Sequence, residues 1–191
     1  MILIDYPDRA QWPVLLERPV MNTESLFGVV QEIIARVKKG GDEAVLQYEK
    51  QFDKVELASL AVTDEEFDEA ERLVDDELKA AIRLAAENIS TFHASQRFEG
   101  RKVETRPGVV CWQKAVPIEK VGLYIPGGTA PLFSTVLMLA VPARIAGCRE
   151  IVLCTPPGRD GKVHPAVLFA AKVAGVRQVF KAGGVQAIAA M

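Results

Sequence analysis

The stretch Val121–Gly147 constrains the fold more than any other part of the sequence. It opens with a short apolar run, Val121–Ile125, and then meets a proline and two glycines, Pro126–Gly128, before a longer apolar run that ends at Gly147. Glycine adopts backbone conformations that other residues avoid, so a glycine pair favours a turn. The pattern predicts a β-strand, a glycine turn and an α-helix, in that order.

The start of this helix is a candidate anion site. Thr129 and Ser134 are residue types that cap helix N-termini. Unpaired backbone N–H groups and the positive end of the helix dipole favour an anion or a phosphate there. However, the chain contains neither G-x-G-x-x-G at this turn nor G-x-x-x-x-G-K-[ST] anywhere. The residues alone leave open both a ligand-binding turn and a simple connection from strand to helix.

The same pattern repeats through the rest of the chain. The repeats comprise a β-branched run at Ile151–Thr155, a helix from Pro165 to Ala174, a strand at Gln178–Lys181, and a second turn, Gly183–Gly184, that opens a last helix. Strands that alternate with helices form parallel sheets with right-handed crossovers, and ligands bind outside the carboxyl ends of such strands. The fold class is therefore α/β, with an incomplete Rossmann-like parallel sheet (β-α-β-α-β-α) after a helical N-terminal region.

The N-terminal region is predicted to be helical after an irregular, proline-containing arm that docks on a partner subunit. Apolar spacing predicts a helix from Asn22 or Thr23 to Gly40, and then a helix over 43–51 capped by Asp42. Thr63 and Glu66 form a capping box that starts a further helix. That helical pattern breaks near residues 75–76 and continues toward residue 98, after an extended or loop segment at 55–62.

A shift in composition near Gly100 marks the predicted domain boundary. Residues 1–100 form the arm and helical region, and residues 101–191 form the first part of a Rossmann-like domain. Between the two, short strands or a hairpin are predicted at Val103–Arg106, Val109–Lys114 and Pro117–Lys120, around a Pro-Gly turn.

Bulk composition excludes several function classes. The chain has 191 residues, 49% of them hydrophobic and 25% charged, with a net charge of −2, so nothing suggests binding to nucleic acid. We find neither a long apolar run nor a signal peptide, since Asp5 and Asp8 stand near the N-terminus. We therefore expect a cytoplasmic protein with no membrane partner.

Cysteines and histidines are few. Cys111, Cys148 and Cys154 follow no C-x-x-C spacing and are expected to be buried thiols without disulfides. The two histidines, His93 and His164, lie in separate segments, so the chain offers no zinc cluster of its own. His93 could form a polar pair with a glutamine one turn further on, but a structural or surface role is favoured.

The last predicted helix reaches Met191 after about two turns, and a three-stranded parallel sheet is thin for this architecture. We therefore expect the chain to be the N-terminal portion of something longer. A partner chain that completes the core is the alternative.

Several motifs together resemble one known family. They are VGLYIPGGTAPLFSTVLMLAVPARIAG at 121–147, IVLCTPP at 151–157 and KAGGVQAIAA at 181–190, preceded by GDEA at 41–44, FD at 52–53 and NISTFHASQ at 88–96. In order and spacing they resemble the histidinol dehydrogenases, over nearly the whole chain. The resemblance implies a zinc-dependent enzyme of histidine biosynthesis that oxidises L-histidinol to L-histidine with two NAD, and a homodimer.

For individual residues the resemblance implies less. Two positions match NAD contacts of the family, Tyr124 and Gln186. Tyr124 could instead have a structural role, with its ring packed and its hydroxyl bonded to a neighbour. Gln186 could likewise serve only as a helix cap. The zinc ligands and the Glu–His acid–base pair of the family lie C-terminal to this chain, so we assign no catalytic residue and no metal ligand here. The chain alone is expected to be inactive; a non-catalytic nucleotide-binding or assembly module of the same fold is the alternative, and a different NAD-dependent alcohol dehydrogenase is less favoured.

Overall fold

From residue 120 to residue 190, strands and helices alternate in the predicted order. The computed structural model describes residues 3–18, 23–128 and 130–191. In chain order the elements are α1 (Trp12–Leu15), α2 (Glu24–Tyr48), α3 (Asp64–Leu73), α4 (Asp76–Ala94), β1 (Lys102–Arg106), β2 (Val109–Trp112), β3 (Lys120–Tyr124), α5 (Phe133–Ala146), β4 (Glu150–Thr155), α6 (Pro165–Ala174), β5 (Gln178–Lys181) and α7 (Gly184–Ala190). A 3₁₀ turn, Arg9–Gln11, precedes α1, and a π-helical turn, Glu49–Asp53, follows α2.

The last three strands form the predicted parallel sheet, in the order β3-β4-β5. Leu123 lies opposite Leu153, which lies opposite Val179, and these three side chains belong to the main apolar core with α3, α4, α5 and α6. The next residues along each strand point to the other face, because side chains alternate along a strand. There Cys154 packs with α2 and α7. The sheet is thus covered on both faces, and the predicted α/β class is confirmed.

A segment outside the named strands extends this sheet. Val62 donates its N–H to the carbonyl of Val179 at 2.9 Å, and Lys181 donates to the carbonyl of Leu60 at 2.7 Å. Ala61 bridges to Phe180 in the antiparallel direction. The segment predicted as extended or loop therefore covers the edge of β5.

The helical N-terminal region follows its sequence signals closely. At Gly41 the backbone takes a φ of 55° and a ψ of −141°, which kinks α2 next to the predicted helix end. The capping box is confirmed: Glu66 donates its backbone N–H to the Thr63 hydroxyl at 3.3 Å, and its carboxylate accepts the Thr63 N–H at 2.9 Å. Helix α4 ends at Ala94, four residues before the predicted limit, after which Gln96 donates its N–H to the His93 carbonyl.

Some predictions were wrong in detail. The hairpin is present as β1 and β2, but residues 117–119 form no strand, and β3 begins at Lys120. Helix α5 starts after Leu132 without a side-chain cap, so Ser134 lies inside its first turn; the other proposed cap, Thr129, lies outside the described residues, as does Asn22. Cys111 is exposed because it lies in the hairpin, which is exposed along both strands.

Candidate functional site

A cleft of about 750 Å³ opens at the carboxyl ends of β3 and β4. Its floor comes from the segments that follow these strands, residues 125–128 and 155–158, and Gly184 contributes from the second glycine turn. Helix α3 and the start of α6 form the opposite wall. This is the edge where parallel α/β sheets bind their ligands, as the sequence predicts.

Both glycine turns pack against one proline. A Cβ atom added to Gly127 would lie 2.5 Å from Pro156 Cγ, and one added to Gly183 would lie 2.8 Å from Pro156 Cβ. A proline ring cannot rotate away, so a side chain at either position forces the backbone to move. Pro156 follows β4 directly, and it therefore sets the spacing between the two turns.

The second glycine turn is held by polar contacts from two distant parts of the chain. Gly183 donates its N–H to Glu49 Oε1 at 3.0 Å, and Gln186 Nε2 donates to the same oxygen at 2.9 Å. Gly184 donates its N–H to the Tyr124 hydroxyl at 3.0 Å. Glu49 and Tyr124 thus fix adjacent amides of this turn.

Burial shifts the ionisation of two groups beneath the turn. The pKa of Glu49 is raised above its ordinary value, mainly because burial disfavours the charged carboxylate, and Asp53 raises it further; the hydrogen bonds from Gly183 and Gln186 oppose the shift. Burial, together with the nearby Glu49, raises the pKa of the Cys154 thiol to about 11. This environment favours the protonated thiol at neutral pH, which argues against Cys154 as a nucleophile.

The two residues singled out by sequence occupy different positions at the site. Tyr124 is half-buried and lines the cleft. Gln186 is only 1% exposed and lies behind the turn. Its side-chain amide donates to Glu49 and does not cap the helix, whose N-cap residue is Gly183. The structure joins both residues to one turn but exposes only Tyr124.

The wall opposite the glycines carries paired charges. Lys162 Nζ contacts both Glu69 oxygens at 2.7 and 2.8 Å, and Lys181 Nζ lies 3.1 Å from Glu66 Oε1. The hydrogen bond that Lys162 donates to Glu69 raises the pKa of Lys162. Because these lysines are paired with carboxylates, an anion in the cleft would be better placed against the glycine wall than against α3.

No group of three or more histidine, cysteine, aspartate or glutamate side chains within residues 3–18, 23–128 and 130–191 is arranged to hold a metal ion. The described residues therefore do not fit zinc. His93 and Gln96 do form a pair, with His93 Nδ1 2.8 Å from Gln96 Oε1, but the pair is exposed and lines a different cavity. Within the same described ranges, no helix combines the length and apolarity that a membrane span requires.

Sequence reasoning missed Glu49. It was placed in a predicted helix without a role, although one signal was available: Glu49 stands four residues after Val45 and one after Tyr48, on the stripe that α2 buries. A charged residue on a buried stripe requires partners. Those partners lie at residues 183 and 186, which no local pattern could identify.

Comparison with known proteins agrees with this architecture. The family model described as histidinol dehydrogenase matches residues 16–191. The histidinol dehydrogenase of Bacteroides fragilis is 70% identical over all 191 residues, which span 45% of that protein, and the Shigella dysenteriae enzyme is 51% identical over 178 residues, 93% of this chain and 40% of the relative.

Structural comparison gives the same result. The crystal structure of histidinol dehydrogenase from Elizabethkingia anophelis has a TM-score of 0.93 and 48% sequence identity, covering 97% of this chain and 43% of that one. The chain thus spans less than half the length of these relatives, as expected for a match to part of a longer protein. By sequence and by structure, the chain belongs to the histidinol dehydrogenase family.

Proposed function

We propose that this chain forms the cofactor side of an NAD-dependent histidinol dehydrogenase, an oxidoreductase of histidine biosynthesis that converts L-histidinol to L-histidine with two NAD. Residues 101–191 would supply the NAD-side domain, and residues 1–100 the arm and the helices that cover it. One observation carries the proposal: this chain belongs to the family, and its cleft lies at the carboxyl ends of β3 and β4, between the two glycine turns.

The groups around the cleft suit a nucleotide. Its volume of about 750 Å³ falls in the range of small-molecule pockets. The Tyr124 oxygen accepts from Gly184, so its own proton is available to a ligand oxygen. No atom of the described residues lies within 4 Å of a Cβ position on Gly128, which leaves room for a phosphate to approach the backbone. Asp53 also lines the cleft, and a carboxylate there can accept from sugar hydroxyls.

We propose Tyr124 and Gln186 as the NAD contacts. Tyr124 is within direct reach of a ligand in the cleft. Gln186 supports the same wall from behind, and a direct contact requires its side chain to turn away from Glu49.

Zinc and the acid–base groups are proposed to lie in parts of the longer relatives that this chain does not span. The described residues do not fit the metal, so we assign no step of the reaction to zinc here. What the chain itself would do is bind and orient NAD. We therefore expect no NADH when L-histidinol and NAD are mixed with the chain alone; turnover would contradict this division of roles.

Calorimetric titration with NAD tests cofactor binding. The wild-type chain is expected to release heat, and Tyr124→Ala to weaken binding about tenfold or more, since it removes both an aromatic surface and a hydroxyl. Tyr6→Ala is the matched control, because Tyr6 is 95% exposed in the N-terminal arm. Equal heats for all three proteins would overturn the assignment of Tyr124.

The second candidate is a module that binds a partner without chemistry. The N-terminal arm favours it, since Leu3, Val14 and Leu16 are each at least 74% exposed, and large exposed apolar surface marks interaction sites. We propose a homodimer or a partner chain as its occupant. Light scattering on the purified chain tests association: a monomer that shows no NAD heat would contradict both candidates.

A further inference from the structure

Glu49 links two regions that are far apart in sequence. It stands directly after α2 and is fully buried, yet its contacts are at the second glycine turn, 134 and 137 residues further along. Both hydrogen bonds end on one oxygen, Oε1. Two donors of the second glycine turn thus converge on a single oxygen of Glu49.

That contact defines which way the Gln186 amide faces. A carboxylate oxygen accepts hydrogen bonds, so Gln186 must present its NH₂ group to Glu49. The amide oxygen then lies on the side of Gly184, where an added Cβ would stand 2.9 Å from it. Without an acceptor at position 49, this hydrogen bond would no longer favour one of the two amide orientations.

A carboxyl group at this position carries a cost as well as two hydrogen bonds. Glu49 Oε2 is buried and has no hydrogen-bond partner among the described residues, and an unsatisfied buried polar atom destabilises a fold. The neighbouring Asp53 carboxyl also disfavours a charge here, since it raises the pKa of Glu49. An apolar side chain of similar volume would avoid these costs, but it would leave the Gly183 N–H and the Gln186 amide without their acceptor. What Glu49 supplies is therefore Oε1 as an acceptor that two donors share.

We propose that Glu49 is a positioning residue: it holds the Gly183 N–H and the Gln186 amide in one orientation, and so shapes the wall of the cleft at the second glycine turn. Its importance for cofactor binding rests on the function proposed above. Its effect on the turn does not.

Hydrogen exchange with two variants separates positioning from stability. Glu49→Met fills the same space without an acceptor, and Glu49→Gln keeps an acceptor oxygen. Amide exchange is measured by NMR at Gly183 and across α3 and α6. In Glu49→Met we expect exchange at Gly183 about tenfold faster or more, with α3 and α6 unchanged. Glu49→Gln should stay within about twofold of wild type.

The matched control is Glu56→Gln, which removes a carboxylate from an exposed pair with Lys50 and should leave Gly183 unchanged. Wild-type protection at Gly183 in Glu49→Met, or equal loss in Glu49→Gln, would overturn the proposal. A Met variant that fails to fold while the Gln variant folds would also overturn it, because the acceptor would then support the whole fold.

Titration of the same proteins with NAD keeps the two proposals apart. If the wild-type chain binds no NAD but the exchange pattern is as expected, the cofactor assignment fails and the role of Glu49 in the turn stands. If NAD binds and exchange at Gly183 is identical in all variants, the cofactor assignment stands and the role of Glu49 in the turn fails.

Discussion

The two glycine turns look alike in sequence and differ in structure. Each follows a strand of one parallel sheet, and each packs its first glycine on Pro156. The second glycines differ. Within residues 3–18, 23–128 and 130–191, Gly128 has no atom within 4 Å of a Cβ position, whereas Gly184 has a φ of +55° and lies against Gln186.

This difference shows that one local pattern can serve two purposes. The first turn leaves open backbone at the cleft, where a ligand can approach. The second turn is held by two hydrogen bonds: the Gly183 N–H donates to Glu49, and the Gly184 N–H donates to the Tyr124 hydroxyl. The sharpest tests of this comparison change equivalent positions in the two turns.

The largest difference is expected between Gly184→Ala and Gly128→Ala. Alanine at 184 must adopt a positive φ and also displace the Gln186 side chain, so it should lower the free energy of unfolding by about 3 kcal/mol. At 128 neither penalty applies, and the change should stay within about 0.5 kcal/mol. Urea unfolding of both variants measures the contrast. Similar losses at both sites would show that the turns are equivalent after all.

The first glycines should behave alike. Gly127→Ala and Gly183→Ala each force a methyl group into Pro156, and we expect a loss of about 2 kcal/mol in each case. Combining Gly127→Ala with Pro156→Ala should restore part of that loss, because the obstacle there is Pro156 Cγ, which alanine lacks. At Gly183 the obstacle is Pro156 Cβ, which alanine keeps, so the same combination should restore little. Double-mutant cycles from thermal or urea unfolding measure the coupling. Strict additivity of Gly127→Ala and Pro156→Ala would mean that the proline ring does not limit the first turn.

Removing the Tyr124 hydroxyl, which accepts the Gly184 N–H, should have a smaller effect on stability. Tyr124→Phe keeps the ring but leaves the Gly184 N–H without its partner, which should cost about 1 kcal/mol of unfolding free energy. The exposed Tyr6 offers the control, since Tyr6→Phe should change nothing measurable. A neutral Tyr124→Phe would indicate that water satisfies Gly184 equally well.

The last test measures how the free energy of unfolding changes with pH. Burial raises the pKa of Glu49 above its ordinary value, with Asp53 adding to the shift and Cys154 close by. The unfolded chain therefore releases this proton at lower pH than the folded one. The contribution of Glu49 is fully present below the unfolded pKa and is lost as pH rises through the folded pKa. Relative to Glu49→Gln, wild type should lose stability as pH rises through that window, measured by urea unfolding at several pH values; a gain would contradict the shift.

Much of the fold was predictable because its signals are local. The capping box at Thr63, the glycine at 175 that ends α6, and the β-branched run of β4 each act over a few residues. The cleft followed from the order of these elements. Two predictions failed where the local signal was weak. Residues 117–119 show no alternation of polar and apolar side chains, and they form no strand. Cys111 was expected to be buried, but it lies in the exposed hairpin.

By itself, the sequence determined the order of strands and helices, the place of both glycine turns and the family. These depend on backbone propensities, capping and motifs, all of which are read within a short window. Tertiary structure alone decided that Glu49, Tyr124 and Gln186 meet at one turn, and that residues 60–62 cover β5. Such contacts join segments more than 50 residues apart, and only packing of α2 and β3 around α7 brings them within hydrogen-bond distance.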